Sequence, residues 1–206
     1  PGYTTKLPKN NQIYGSGDNH FWGVWHGGDG FEAFEENIGR FLSEYGMQSF
    51  PEMGTIMKFA EEKDLDINSK VMKDRQKASL GTGNLIKYIE DYFLPQTDFR
   101  SIVVLSQIMQ AFAIKSAVEI HRRSMPFCMG TLYWQFNDCW PAISWSSVDY
   151  FGNWKALHYH AKRFFNEIII VIHEKEEHIH ISVINDKHKK VESRIQLQLS
   201  TFEGFM

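Results

Sequence analysis

In the stretch Arg40–Pro51, RFLSEYGMQSFP, one carboxylate, Glu44, stands among apolar and aromatic residues. Phe41, Leu42, Tyr45, Met47 and Phe50 suit a buried strand and its exit, and Pro51 ends regular pairing. A carboxylate buried without partners costs several kcal/mol or more, so one held in such a run is retained for chemistry or kept in water. Two readings follow from the local sequence: a pocket-facing catalytic carboxylate, or a glutamate at the strand's last turn pointing to solvent.

Two further segments carry the same mixture of polar and aromatic residues. His20–His26 holds His20, Trp22, Trp25 and His26, and Trp134–Asp138 holds Trp134, Asn137 and Asp138. With Glu44–Gln48 these make three clusters, each at the C-terminal end of a predicted strand. That is where the loops of a (β/α)8 barrel gather their chemistry, although aromatics at strand ends also serve as core lids.

The elements that must position them follow from periodicity. A short aromatic strand (Phe21, Trp22, Val24, Trp25) runs into the glycine-rich end of His20–Gly30. A helix over Phe31–Arg40, with Phe31, Phe34 and Ile38 at spacings of three and four, leads into the strand of Glu44. Helical pieces are predicted over Glu52–Phe59 and Ser69–Leu80, then a break at Gly81-Thr82-Gly83 and a helix capped by Asn84 that runs to about Phe93. The clearest helix spans 98–124 behind an N-cap at Thr97 or Asp98. Ile102, Leu105, Met109, Phe112 and Ile120 form its face, and His121-Arg122-Arg123 lie at the negative end of its dipole. A strand over Phe127–Trp140 and a helix over 154–166, with Trp154, Leu157, Ala161, Phe164 and Phe165 inward, complete the series. Strands separated by helices imply parallel pairing, in a barrel or a doubly wound sheet.

From Ile168 the pattern changes to period-two alternation (Ile179, Ile181, Val183; Ile195, Leu197, Leu199) around a polar turn at Asn185–Lys190. This is antiparallel β, with only two or three strands, fewer than an autonomous sandwich needs.

Composition narrows the partners. With 22 Lys+Arg against 25 Asp+Glu and no basic stripe among the aromatics, nucleic acid is not expected. No apolar run of the sequence approaches the length of a membrane span, and no membrane partner is expected. The chain begins at Pro1 without a signal-like apolar core, as a processed or excised piece would. Two cysteines, Cys128 and Cys139, make neither a disulfide framework nor a metal spacing. His158/His160 on a helix point apart, and His178/His180 on a strand share a face without a third ligand, so no metal is expected. All six tryptophans fall in two segments, Trp22/Trp25 and Trp134/Trp140/Trp145/Trp154, which suit a core or platforms for sugar rings.

The strings GRFLSEYGMQSFPEM, MGTLYWQFNDCWPAISWSSVDYFGNWKALHYHAKRFF and DNHFWGVWHGG resemble the β-mannosidase branch of glycoside hydrolase family 2. The resemblance is collinear over residues 1–166. It implies the C-terminal half of a (β/α)8 TIM barrel over 1–166, followed at 167–206 by the first strands of an antiparallel β-sandwich domain. It also implies a retaining exo-glycosidase that removes terminal β-linked mannose from oligosaccharides or glycosides, without a cofactor.

The family's nucleophile lies in the S-E-Y/F-G string, which carries over to Glu44. By the same resemblance Trp134 floors the sugar subsite with Asn137 and Asp138 nearby, and His20, Trp22, Trp25 and His26 line the opposite wall. His26 is the expected hydrogen-bond partner of the nucleophile. The family's acid/base is the glutamate of an Asn-Glu pair. The only such pair here, Asn166-Glu167, follows Glu44 rather than preceding it, so the partner carboxylate is expected in a missing N-terminal part of the same protein. The isolated chain is then expected to be inactive, and the resemblance implies an exported setting (periplasmic, secreted or lysosomal). Two other readings stay open: a β-galactosidase or other β-glycosidase of the same family, and a non-catalytic carbohydrate-binding or structural fragment.

Overall fold

A computed structural model describes residues 18–95 and 98–204, so Thr97, one of the two expected caps, lies outside the described residues. The chain falls into two compact units, residues 1–166 and 167–206. In the first, β1 (Asn19–His20), α1 (Ala33–Glu36) and β2 (Leu42–Glu44) lead to α2 (Met53–Ile56) and a 3-10 turn at Glu62–Asp64. Then come α3 (Lys70–Arg75), α4 (Gly81–Tyr92), α5 (Phe99–Arg123) and α6 (Ala156–Phe164). The second unit holds a hairpin of β3 (Ile168–Lys175) and β4 (His178–Asn185).

β2 is the middle of three parallel runs. On one flank β1 pairs with it in parallel, His20 opposite Glu44, and Phe21 N donates to Glu44 O at 2.9 Å. On the other flank Leu42 N donates to Gly130 O, Leu132 N to Leu42 O and Trp134 N to Tyr45 O, at 2.9, 2.8 and 2.7 Å. This helix-separated parallel pairing makes the unit α/β.

The strand expected over Phe127–Trp140 is regular only where it borders β2. Beyond Trp134 the chain turns back on itself, with Ser147 N and Val148 N both donating to Phe136 O. The aromatic strand expected at His20–Gly30 likewise stops at His20. Trp22–Gly27 forms a turn closed by His26 N and Gly27 N on Trp22 O. The helix expected over Phe31–Arg40 is one turn long, because Asn37 departs from helical geometry before Gly39.

α5 carries the core. Asp98 caps it, accepting from Ser101 N at 2.9 Å, and its basic last turn sits at the negative end of the dipole. Ile102, Met109, Ala113, Ile114, Ala117 and Val118 are buried, and α5 packs against α1, α4 and α6. Phe112, expected on that face, is half exposed and lies against His160. α5 is long and apolar enough to cross a membrane by composition alone (mean hydropathy 1.5), contrary to the expectation that no run qualifies. More than half of that apolar stretch is buried by the fold, as in a core helix. α4 begins at Gly81, not at an Asn84 cap. The Asn84 side chain donates instead to Trp25 O at 3.0 Å. α6 turns Leu157, Ala161 and Phe164 inward but leaves Trp154 and Phe165 exposed.

In the second unit the hairpin turn is Glu176-Glu177, both at positive φ, rather than Asn185–Lys190. Two successive left-handed residues match the twist of the flanking strands. The alternating run Arg194–Phe202 forms no strand.

Candidate active site

Glu44 ends β2 and is partly open to solvent, whereas the next residue, Tyr45, is wholly buried. The pleat accounts for this: neighbouring side chains leave the strand on opposite faces. Tyr45 turns into the core, where its hydroxyl and His121 Nδ1 meet Thr131 Oγ1 at 2.6 and 2.8 Å. Burial pushes the Tyr45 phenol well above its ordinary range and the His121 imidazole down to about 3. His121 is therefore a neutral ring, and the triad fastens β2 to the run at 129–134 and to α5 from behind.

Glu44 faces the other way. Its Oε1 accepts the indole N–H of Trp22 at 2.8 Å and lies 3.5 Å from His20 Nδ1. Oε2 accepts no hydrogen bond among the described residues. One oxygen is thus tethered by the indole. The expected partner, His26, is not on the carboxylate. It packs against Trp22, with ring centroids 4.9 Å apart, and against Trp145. The turn at 22–27 reverses the chain between Trp22 and His26, which removes His26 from the reach a continuous strand would give it.

Trp25 leaves the wall as well. At φ 82 its backbone turns the side chain into the core, fully buried and stacked on Tyr88. Its backbone N–H donates to the Tyr88 hydroxyl at 2.8 Å.

Gly46 explains why the string continues with glycine after Tyr45. A Cβ there would lie 2.4 Å from Trp134 O, 2.9 Å from Trp22 Cη2 and 3.0 Å from Trp145 Cδ1. The close approach brings the Trp134 backbone and the Trp22–Trp145 pair to the exit of β2. Trp134 itself is 44% exposed, a face open at the end of the parallel run beside Glu44. Trp145, which edges onto Trp22, Trp25 and His26, was visible in the sequence only as one of the clustered tryptophans.

Asn137 and Asp138 are not brought to Glu44. Asp138 is buried and accepts from Ser144 Oγ and Ser146 Oγ at 2.7 and 2.6 Å, while Asn137 bridges to Val148. Both hold the loop that carries Trp145. Behind that loop Lys155, also buried, donates to Ser49 O and Ser144 O at 3.3 and 3.2 Å. Desolvation lowers its ammonium to about 8 against the pull of Asp138 and Asp149. No local pattern marks Lys155, because the groups that satisfy it lie far away in sequence. Among the described residues no group of three or more His, Cys, Asp or Glu is arranged to hold a metal.

The site therefore offers a partly open carboxylate held by an indole N–H, beside exposed aromatic surface. No family model matches the chain. Curated relatives do. The β-mannosidase of Rattus norvegicus is 33% identical over 211 residues, covering 96% of this chain and 23% of the rat protein. β-Mannosidase B of Aspergillus terreus is 36% identical over 190 residues, covering 90% of this chain and 22% of that protein. Among solved structures, the β-D-mannosidase of Dictyoglomus thermophilum superposes with a TM-score of 0.80 at 39% identity, over 82% of this chain and 21% of that one. The chain thus spans less than a quarter of each of these proteins. In sequence and in fold the chain is a β-mannosidase-like polypeptide of glycoside hydrolase family 2.

Proposed function

We propose that this chain carries the nucleophile, Glu44, of a retaining exo-glycoside hydrolase that removes terminal β-linked mannose from oligosaccharides or glycoconjugates. The observation that carries this reading is the hold on the carboxylate at the end of β2: Trp22 donates to Glu44 Oε1 at 2.8 Å, and among the described residues none donates to Oε2. A retaining mechanism needs a carboxylate oxygen placed to attack the anomeric carbon, and the Trp22 N–H orients one oxygen of Glu44 while leaving the other to attack. Glu44 then bonds the sugar as an ester as the aglycone oxygen leaves with a proton. Water later cleaves the ester with net retention. Trp134, open at the end of the neighbouring run, supplies a platform for the sugar ring, and Trp22 and His20 form the wall that holds Glu44.

The proton for the leaving oxygen comes from a second carboxylic acid, expected about 5 Å from Glu44 in a retaining site. We place it in an N-terminal part of the same protein, in keeping with relatives about four times the length of the match. On this reading residues 1–166 form the C-terminal half of a (β/α)8 barrel and residues 167–206 begin a β-sandwich, and the isolated chain does not turn over glycosides. The mannosidase relatives favour mannose over galactose, and the family resemblance implies an exported setting over a cytoplasmic one. The reaction calls for no metal or organic cofactor.

Chemical rescue tests the assignment. In the full-length protein, Glu44→Ala abolishes turnover of an aryl β-mannoside that has a good leaving group. Azide then restores it, with an α-mannosyl azide as product. Turnover by Glu44→Ala without azide, or a β-configured azide product, contradicts a nucleophilic Glu44.

A further inference from the structure

His20 stands between two carboxylates. Its Nδ1 is 3.5 Å from Glu44 Oε1 and its Nε2 is 3.6 Å from Asp18 Oδ2. The same Asp18 oxygen accepts the Ser43 hydroxyl at 2.6 Å, and Ser43 is the residue before Glu44 on β2. That bond holds the Asp18 carboxyl below its ordinary range. A loop runs from Glu44 through His20 and Asp18 to Ser43 and back to Glu44, across the paired strands β1 and β2.

We propose that Asp18 is a positioning residue for Glu44 that acts through His20. The inference rests on the assignment of Glu44 as nucleophile. The chemistry follows from the two nitrogens of an imidazole. Each of the two ring nitrogens faces one carboxylate oxygen, so a single ring spans both carboxylates. Asp18 sets the ring plane by attracting the Nε2 edge, and the Nδ1 edge then faces Glu44 Oε1. Ser43 anchors Asp18 to the strand that bears the nucleophile, so the ring cannot shift without β2. His20 and Trp22 together occupy Oε1, which leaves Oε2 as the oxygen that bonds the sugar. When Glu44 becomes an ester its charge is lost, and Asp18 keeps the ring in place for the second half of the reaction.

The test has two arms, because a fault in the inference must be separable from a fault in the nucleophile assignment. In the full-length protein with labelled histidine, nitrogen-15 spectra report the surroundings of the His20 ring nitrogens. Asp18→Asn shifts the Nε2 resonance, and Ser43→Ala gives a smaller change in the same direction. In the full-length protein, Asp18→Asn lowers kcat for an aryl β-mannoside by about tenfold with KM nearly unchanged, and Asp18→Glu recovers part of the loss. Identical His20 spectra in wild type and Asp18→Asn overturn the inference even where Glu44 remains the nucleophile. An equal rise in KM with unchanged kcat also overturns it, because that pattern marks lost substrate binding rather than a displaced carboxylate. If azide rescue places the nucleophile elsewhere, the spectra alone decide whether Asp18 orients His20.

Discussion

The indole N–H of Trp22 reaches Glu44 Oε1 at 2.8 Å across 22 residues of chain. The contact exists because β1 and β2 are parallel, with His20 opposite Glu44, so both strand ends open at the same edge. Trp22 is the second residue past the end of β1, and Gly46 keeps the space beside it clear. A hydrogen bond to a charged acceptor contributes about 1.5–3 kcal/mol, and the lower end applies to a carboxylate partly open to water.

Trp22→Phe keeps an aromatic ring and removes the donor. The expected outcome in the full-length protein is a fall in kcat of about tenfold, with a smaller change in KM. Steady-state kinetics on an aryl β-mannoside measure it. An unchanged kcat would show that the bond is incidental to Glu44.

Gly46→Ala tests the packing under the site. The added methyl meets a backbone carbonyl at 2.4 Å, and a carbonyl within a paired run cannot yield as a flexible side chain does. The expected cost is about 1–3 kcal/mol, read as a lower urea midpoint for the chain. The tryptophan emission should shift in the folded state as Trp22 and Trp145 part. Wild-type stability and emission in the variant would refute the close approach.

His121 makes the fold sensitive to acid. Burial depresses its folded value to about 3, against 6.5 for the free side chain. Between these values the unfolded chain takes up a proton that the folded chain refuses. Stability is therefore complete above pH 6.5 and is lost as pH falls toward 3. A drop of about 2 kcal/mol is expected from pH 6.5 to 5 from this group alone. Urea unfolding across that range checks it, and His121→Gln should flatten the profile. An equal slope in the variant would assign the acid sensitivity to other groups.

Much of the architecture was legible in the sequence, for identifiable reasons. α5 declares itself by its 3.6-residue periodicity and its Asp98 cap, both local signals. Glu44 is legible as an anomaly, a carboxylate where burial is otherwise the rule. The resemblance puts Trp25 and His26 on one wall, whereas the turn at 22–27, which no local periodicity announces, sends one ring into the core and the other outward. The same resemblance puts Asp138 near the sugar, whereas it is buried in the following loop. Its hydroxyl partners, Ser144 and Ser146, come from a loop whose return path no periodicity encodes. The Glu176-Glu177 turn lacks the Asn or Gly that usually announces two left-handed residues, so the hairpin was displaced to the next polar stretch.

The central claim is that Glu44 bonds the sugar. Treating the full-length protein with 2-deoxy-2-fluoro-mannosyl, galactosyl and glucosyl donors that carry good leaving groups traps the glycosyl-enzyme of a retaining mechanism for peptide mapping. The expected result is a single fluoromannosyl adduct on the peptide of RFLSEYGMQSFP, at Glu44. An adduct on any other residue, or labelling by the galactosyl donor alone, would contradict the account.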